Sequence, residues 1–87
     1  MQDPVLILGA TGAIGGAIAK RLAVKSPIVV HGRDEGKLAL LKNKLSNSSK
    51  YKIDSYSADL KRSDEVQLLF DNISVKYKKL SGIVFSI

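Results

Sequence analysis

The sequence predicts a single α/β domain in which the strands of a four-stranded parallel sheet alternate with three helices. Short apolar runs, typical of strands buried on both faces, alternate with longer segments whose apolar residues recur at helical spacing. The 87 residues suffice for one small domain with a thin core. Strands that alternate with helices of this length imply parallel crossover connections.

The first strand and the first helix are marked by a change of period. Residues 5–8 (VLIL) form a continuous apolar run that ends at Gly9. From Ile14 onward apolar residues recur every four positions, which predicts a helix from residue 14 to about residue 25. Pro27 cannot continue this helix, because proline lacks a backbone N–H.

The second strand and the second helix follow in the same order. Residues 28–31 (IVVH) form an apolar strand that is closed by Gly32. Asp34 is a predicted N-cap, and leucines at positions 38, 41 and 45 define the buried stripe of the helix. Residues 46–49 (SNSS) are predicted to form a polar turn.

The third strand is the most polar of the set. Residues 51–57 include Lys52 and Asp54 beside serines and tyrosines, so this strand is expected at a sheet edge. The third helix begins at residues 63–65 (SDE) and carries an apolar stripe that extends to position 77. Residues 83–87 (IVFSI) are predicted to form the fourth strand.

Strand polarity and crossover handedness predict the sheet order 3-2-1-4, with the apolar first and fourth strands central. This is the first half of a doubly wound, Rossmann-type nucleotide-binding fold. The first two helices then cover one face, and the third helix lies alone on the other. We expect that second face to expose part of the central strands, and the fourth strand to expose a free edge. Self-association through either surface is predicted.

Composition limits the classes of function. The chain has no cysteine, which excludes disulfides, thiolate metal sites and cysteine nucleophiles. Its single histidine, His31, means that a metal site built from several histidines is not expected. Without a long apolar run or a basic N-terminal region, a cytoplasmic protein with no membrane partner is expected. The net charge of +6 suits an anionic ligand, but the basic residues are dispersed with little aromatic interleaving, so nucleic acid is not the expected partner.

The motif that carries chemistry joins the first strand to the first helix, where residues 9–16 read GATGAIGG. Gly9 allows a sharp turn, Gly12 or Ala13 lets the backbone approach a pyrophosphate, and Gly15 lets the helix pack closely. Free N–H groups in the first helical turn would then face the diphosphate. The alternative is a glycine-rich turn in an α/β domain that binds no ligand.

The end of the second strand predicts the cofactor. Gly32 stands where an acid usually meets the free ribose of NAD, and Arg33 follows it. A guanidinium suits a 2′-phosphate, which favours NADP(H) over NAD(H) by about tenfold to hundredfold. Asp34 is a contrary signal whose alternative role is helix capping, and Lys37 could add positive charge. His31 is a weaker candidate for the adenosine phosphate, its alternative being an ordinary strand residue.

These features together resemble the N-terminal portion of the short-chain dehydrogenase/reductase family. The resemblance is carried by residues 8–19, 32–33, 59–60 and 80–84, and it covers the whole chain in order. It implies that Asp59 contacts the adenine amino group and that Leu60 flanks the ring, although Asp59 could instead form an Asx turn or a helix cap. Leu8 and Ala13 depart from the commoner family pattern, so the subfamily stays open.

The resemblance also implies a longer enzyme, because the family uses a tyrosine with a lysine four residues later, and a serine. None of the tyrosines at positions 51, 56 and 77 has such a lysine. We expect residues 1–87 to be a single dinucleotide-binding domain, the NADP(H)-binding N-terminal fragment of such an oxidoreductase, inactive by itself. The alternative is a non-catalytic dinucleotide-binding or sensing module. The predicted cofactor-binding residues are Gly9, Thr11, Gly12, Ala13, Ile14, Gly15, Arg33, Asp59 and Leu60.

Overall fold

The computed structural model describes residues 3–86, in which four strands alternate with three helices. The strands are β1 (Val5–Leu8), β2 (Ile28–Gly32), β3 (Ile53–Ser57) and β4 (Gly82–Phe85), and the helices are α1 (Ala13–Ala23), α2 (Glu35–Ser48) and α3 (Ser63–Lys76). Every strand pair is parallel, and the sheet order is β3-β2-β1-β4. The predicted fold class and strand order are therefore confirmed.

The centre of the sheet is formed by β1 and β2. All residues of β2 are buried, and Leu6 and Ile7 of β1 are completely inaccessible to solvent. The polar strand β3 lies at an edge, as expected. The expectation that the fourth strand is central was wrong: β4 pairs with β1 and forms the other edge of the sheet in residues 3–86. The second central position belongs to β2, whose residues are apolar on both faces.

Two apolar clusters lie on opposite faces of the sheet. On one face, α1 and α2 pack against Ile7 and Val30. On the other, Leu69 and Ile73 of α3 pack against Leu6 and other residues of the central strands. This division confirms that the first two helices share a face and that the third lies alone on the second face.

The apolar surface left uncovered on the sheet belongs to β4. The α3 face was expected to expose part of the first and fourth strands, and this was wrong for β1, because Leu6 and Leu8 lie beneath α3 and its flanking loops. The exposed apolar side chains of the sheet belong to β4: Ile83 is 56% exposed and Phe85 is 68% exposed. These residues pair in register with Leu6 and Leu8, so they lie on the face of the sheet against which α3 packs. Their exposure shows that α3 does not cover them.

The first two helices end at other residues than predicted. α1 ends at Ala23, slightly early, because the N–H of Lys25 turns back to the carbonyl of Leu22 at 2.9 Å. α2 continues to Ser48 through most of the predicted polar turn, where the Ser48 hydroxyl donates to the carbonyl of Leu45 at 3.4 Å. Serine hydroxyls that bond to the preceding turn allow a helix to tolerate a polar end.

The remaining boundaries agree more closely. β3 begins at Ile53 rather than at residue 51, and β4 extends to Phe85, while the predicted strand residue Ile87 lies outside the described residues. Asp34 is the N-cap of α2, as predicted, because its carboxylate accepts the N–H of Lys37 at 3.1 Å. No helix within residues 3–86 combines the length and the apolar character that crossing a bilayer requires.

Candidate functional site at the carboxyl end of the sheet

The turn between β1 and α1 is shaped by two glycines. Gly9 has φ 79°, in the left-handed region that favours glycine. A Cβ on Gly15 would lie 2.2 Å from the carbonyl oxygen of Gly9, so only glycine allows α1 to begin this close to the turn. Both glycines therefore allow the close approach of helix and strand that the sequence predicts.

The first turn of α1 leaves backbone amides without partners. The helix begins after Gly12, which provides no side-chain cap, and the first helical bond runs from the N–H of Gly16 to the carbonyl of Gly12 at 2.8 Å. Within residues 3–86, the N–H groups of Ala13, Ile14 and Gly15 have no hydrogen-bond partner. Such amides and the positive end of the helix dipole favour an anion.

A cleft of about 350 Å³ opens beside this turn, above the carboxyl ends of β1, β2 and β3. The predicted residues that line it are Gly9, Thr11, Gly12, Arg33, Asp59 and Leu60. The fold thus brings together loops that are far apart in sequence, where the strands of an open α/β sheet end and ligands usually bind.

Three predicted residues lie outside this cleft. Ala13 borders a separate depression between α1 and α2, and Ile14 is 73% exposed. Gly15 is buried beneath the carbonyl of Gly9. The side chains of these residues do not line the cleft, and what they offer an anion is their backbone N–H groups.

The end of β2 combines a glycine that is closely packed with an exposed arginine. A Cβ on Gly32 would lie 2.7 Å from Cγ2 of Thr11, so an acidic side chain at this position would have to displace the threonine. Arg33 is exposed, borders the cleft and forms no ion pair within the described chain. Asp34 is occupied as the N-cap of α2, which was the alternative role for this residue.

The loop after β3 is ordered by hydrogen bonds of Asp59. Its N–H donates to Oε1 of Glu65 at 2.9 Å, and its own carboxylate accepts the N–H of Lys61 at 3.0 Å. This is the Asx turn that the sequence left open as an alternative. Lys61 also lines the cleft, and the sequence analysis missed it although it follows Leu60 directly.

The sequence profile of short chain dehydrogenases matches residues 3–86 of this chain. The chain belongs to the short-chain dehydrogenase family. A curated relative, an uncharacterized oxidoreductase of Staphylococcus saprophyticus, is 28% identical over 88 residues, which covers 99% of this chain and 38% of the relative.

Solved structures resemble this chain over most of its length. A short-chain dehydrogenase from Sphingobium yanoikuyae in complex with NADPH is 29% identical with a TM-score of 0.76, over 83% of this chain and 29% of that one. An NAD⁺-bound xylitol dehydrogenase has the same fold, with a TM-score of 0.85 at 23% identity, over 93% of this chain and 31% of that one. The chain therefore spans about a third of the length of these relatives.

A buried histidine lies at the base of the cleft. His31 is 2% exposed, and its Nδ1 accepts the N–H of Gly9 at 3.1 Å. Its Nε2 lies 2.8 Å from the carbonyl oxygen of Ala58. Because both ring nitrogens are hydrogen-bonded to backbone groups, the interpretation of His31 as a contact for the adenosine phosphate was wrong. The sequence showed a histidine at a strand end, but not the partners that enclose it.

A second polar cluster lies near the opposite end of the sheet, and we call Asp54, Lys76 and Tyr77 the amino-end cluster. The buried Asp54 accepts hydrogen bonds from the Tyr77 hydroxyl and, at 2.9 Å, from Nζ of Lys76. Burial alone would raise the pKa of Asp54, but these two donors outweigh it and lower that pKa. Burial and the bond to Asp54 raise the pKa of Tyr77 to about 12, and the bond to Asp54 raises the pKa of Lys76.

Proposed function

We propose that residues 1–87 form the NADP(H)-binding portion of an oxidoreductase of the short-chain dehydrogenase/reductase type. The observation that carries this proposal is the set of unpartnered N–H groups on residues 13–15, beside a cleft bordered by Arg33 and Lys61. An anionic dinucleotide is the ligand whose charge and length suit that arrangement. The NADPH complex of the Sphingobium relative supports the same assignment.

The proposed roles follow from where each residue lies. The N–H groups of Ala13, Ile14 and Gly15 would bind the diphosphate, and Arg33 would bind the phosphate of the adenosine ribose. Asp59 and Leu60 would contact the adenine, because they line the cleft in the loop after β3. The Asx turn occupies only Oδ1 of Asp59 within the described residues, which leaves its second carboxylate oxygen for a ligand.

The proposed preference for NADP(H) depends on Gly32 and Arg33. The close contact that a Cβ on Gly32 would make with Thr11 disfavours the acid that NAD-binding sites use at the strand end. The guanidinium of Arg33 has no ion-pair partner among residues 3–86 and favours a 2′-phosphate, with which it can form bidentate bonds. Since an NAD⁺-bound relative has the same fold, these two positions and not the architecture support the preference.

Hydride transfer is the chemistry that the bound cofactor would supply, and it needs an acid/base group at the reacting oxygen. The Tyr77 hydroxyl is held by Asp54 near the far end of the sheet, and no tyrosine is followed by a lysine four residues later. We propose that the chain is inactive alone and that the acid/base group belongs to sequence outside residues 1–87. A parent sequence that encodes no Tyr-x-x-x-Lys motif would favour a non-catalytic sensing module.

The cofactor assignment is tested by titrating NADPH and NADH into the chain and into Arg33→Asp. We expect the unmodified chain to bind NADPH about tenfold to hundredfold more tightly than NADH, and Arg33→Asp to lose that preference. Arg21→Asp is the matched control, because Arg21 is an exposed arginine in the last turn of α1, away from the cleft. Equal affinity for the two cofactors in the unmodified chain would contradict the assignment.

Self-association also remains a proposal, and the exposure of Ile83 and Phe85 supports it. An apolar edge strand is a ready surface for pairing. Sedimentation velocity should show dimers or larger species that Phe85→Ser dissociates, while Leu68→Ser, on the exposed side of α3, leaves them unchanged. A monomer at all concentrations would contradict this proposal. The cytoplasmic location expected from the sequence remains a prediction.

A further inference from the structure

The buried imidazole of His31 connects the ends of three strands under the proposed cofactor site. We propose that His31 is a positioning residue: its neutral ring, protonated at Nε2, holds the glycine turn in the shape that leaves the amides of residues 13–15 free. The proposal rests on the proposed dinucleotide function and deepens it. It concerns a side chain that contacts the chain and not the cofactor.

The hydrogen bonds of the ring define one tautomer. The N–H of Gly9 can only donate, so Nδ1 must be the unprotonated nitrogen that accepts this bond. The carbonyl of Ala58 can only accept, so Nε2 must carry the proton. The neutral Nε2–H form satisfies both neighbours, whereas the other neutral tautomer satisfies neither of them.

The bond to Gly9 acts where the turn is most constrained. The carbonyl of Gly9 accepts the N–H of Gly12 at 3.3 Å and is also the atom that excludes a Cβ from Gly15. The backbone carbonyl of His31 holds the next amide as well, because the N–H of Ala10 donates to it at 2.8 Å. His31 therefore fixes two consecutive amides immediately before the anion-binding turn.

The other side of the ring orders the opposite wall of the cleft. Ala58, whose carbonyl accepts the hydrogen bond from Nε2–H, directly precedes the residues proposed to contact the adenine. Its own N–H donates to the carbonyl of Gly32 at 3.2 Å, so the loop after β3 is held to the end of β2 by two bonds. One side chain thus sets the distance between the two walls of the cleft.

A second proton on the ring would break this arrangement. It would bind to Nδ1, whose new N–H would point at the N–H of Gly9, so one hydrogen bond would be replaced by a repulsion. The charged or titratable groups near the ring are Arg33, Asp59 and Lys61 around the cleft, Glu65 behind the loop, and Tyr56, which pairs with His31 on β3. No carboxylate within residues 3–86 is hydrogen-bonded to the ring to compensate a buried cation. The hydrogen bonds that hold the turn therefore require the neutral ring.

The first test needs no cofactor. In the 87-residue chain labelled with ¹⁵N, the chemical shifts of the two ring nitrogens at about pH 8 should report the Nε2–H tautomer alone. A ring protonated at Nδ1, or one that averages between tautomers, would overturn the proposal whether or not the chain binds NADPH. This readout separates failure of the positioning role from failure of the proposed function.

The second test compares two neutral replacements. The carboxamide of His31→Gln provides an acceptor and a donor, whereas His31→Leu removes both and leaves the Gly9 amide unpaired. We expect His31→Leu to lose NADPH affinity by about tenfold to hundredfold, and His31→Gln to retain most of it. Equal losses in the two variants would overturn the proposal, because a merely space-filling role would not distinguish them.

The tautomer measurement keeps the proposal falsifiable if His31→Leu fails to fold, which circular dichroism would show. His31→Gln then provides the binding readout by itself. NADPH affinity within about tenfold of the unmodified chain would support the positioning role, and a loss of about a hundredfold with the fold intact would overturn it.

Discussion

The two ends of the sheet each contain one buried polar side chain, and the two are satisfied in different ways. His31, at the carboxyl end, is bonded to backbone groups of two loops, and the amides of the adjacent helical turn have no partner in the described chain. Asp54, near the amino end, is bonded to two side chains of its own fold, Lys76 and Tyr77. The carboxyl end therefore offers hydrogen-bond donors to a ligand, whereas the polar side chains at the amino end are bonded to one another.

Burial of a polar group therefore does not by itself mark a functional site. Both side chains are almost inaccessible, at 2% and 7% exposure. The two side chains differ in whether the hydrogen-bond donors around them are available to a ligand. Next to His31 there are unpaired N–H groups and a cleft, while the donors around Asp54 are already used to attach α3 to β3. Substitutions at the two ends should therefore separate binding from stability.

The largest effect is expected for Gly15→Val at the carboxyl end. The new side chain cannot fit, because even its Cβ would lie 2.2 Å from a backbone oxygen that is held in place. We expect the unfolding free energy to fall by about 3 kcal/mol or more, and NADPH binding to be lost. Urea unfolding measures the first and titration the second.

The matched control is Gly82→Ala, because a Cβ at this strand position meets no atom within 4 Å. It should change the unfolding free energy by about 0.5 kcal/mol or less. Normal stability and normal binding in Gly15→Val would show that the turn does not need the close approach that we describe.

At the amino end, Tyr77→Phe should reduce stability and leave binding intact. The substitution removes a donor from a buried carboxylate, which costs about 1.5–3 kcal/mol. Tyr51→Phe is the control, because the Tyr51 hydroxyl makes no hydrogen bond within residues 3–86. Urea unfolding and NADPH titration of both variants check this. A change in NADPH affinity in Tyr77→Phe, at unchanged stability, would remove the distinction between the two ends.

The amino-end cluster also predicts how stability depends on pH. The pKa of Asp54 is lower in the folded state than its ordinary 3.8, so its contribution is present above that value and is lost as the pH falls through the folded-state pKa. The pKa of Tyr77 rises from 10.0 to about 12, so its contribution is complete below pH 10.0 and is lost as the pH increases towards 12.

Asp54→Asn should flatten the acid limb of the stability profile and reduce the alkaline limb, measured by urea unfolding across that range. It removes the titrating carboxylate and one of the two causes of the raised pKa of Tyr77, while burial, the larger cause, remains. Asp71→Asn, an exposed acid on α3, should leave both limbs in place. If Asp54→Asn retained the full alkaline loss of stability, the raised pKa of Tyr77 would not arise from this contact.

The smallest effect is expected for Gly32→Ala. The nearest atom to the new Cβ is the methyl group of Thr11 at 2.7 Å, which is the end of a side chain that can rotate, so the cost should be about 1 kcal/mol or less. Thr11→Ser removes that methyl group, and the double variant should recover the loss in urea unfolding. Equal costs of Gly32→Ala in the two backgrounds would show that the contact with Thr11 is not what restricts this position.

The sequence predicted most of the fold because its signals are local. Apolar runs, their change of period and glycines at the turns are sufficient to place the elements, and the polarity of β3 places it at an edge. The place of β4 in the strand order was predicted correctly, but its burial was misjudged. Its apolar character suggests burial, and burial depends on neighbours that the pattern of a strand does not specify.

The site was predicted only in part for a similar reason. Residues of the glycine turn and Arg33 were recognisable from spacing, and six of the predicted residues line the cleft. The partners of His31 could not be predicted, because they are backbone groups from segments more than twenty residues away in either direction. The interactions of Asp54 with the end of α3 are equally distant in sequence.

An amide NMR titration of the ¹⁵N-labelled chain with NADPH tests directly whether the turn between β1 and α1 binds the diphosphate. The N–H resonances of Ala13, Ile14 and Gly15 should shift most, while those of Lys76 and Tyr77 remain in place. Shifts concentrated at the amino end, or none at residues 13–15 when NADPH binds, would contradict the claim that this turn grips the diphosphate.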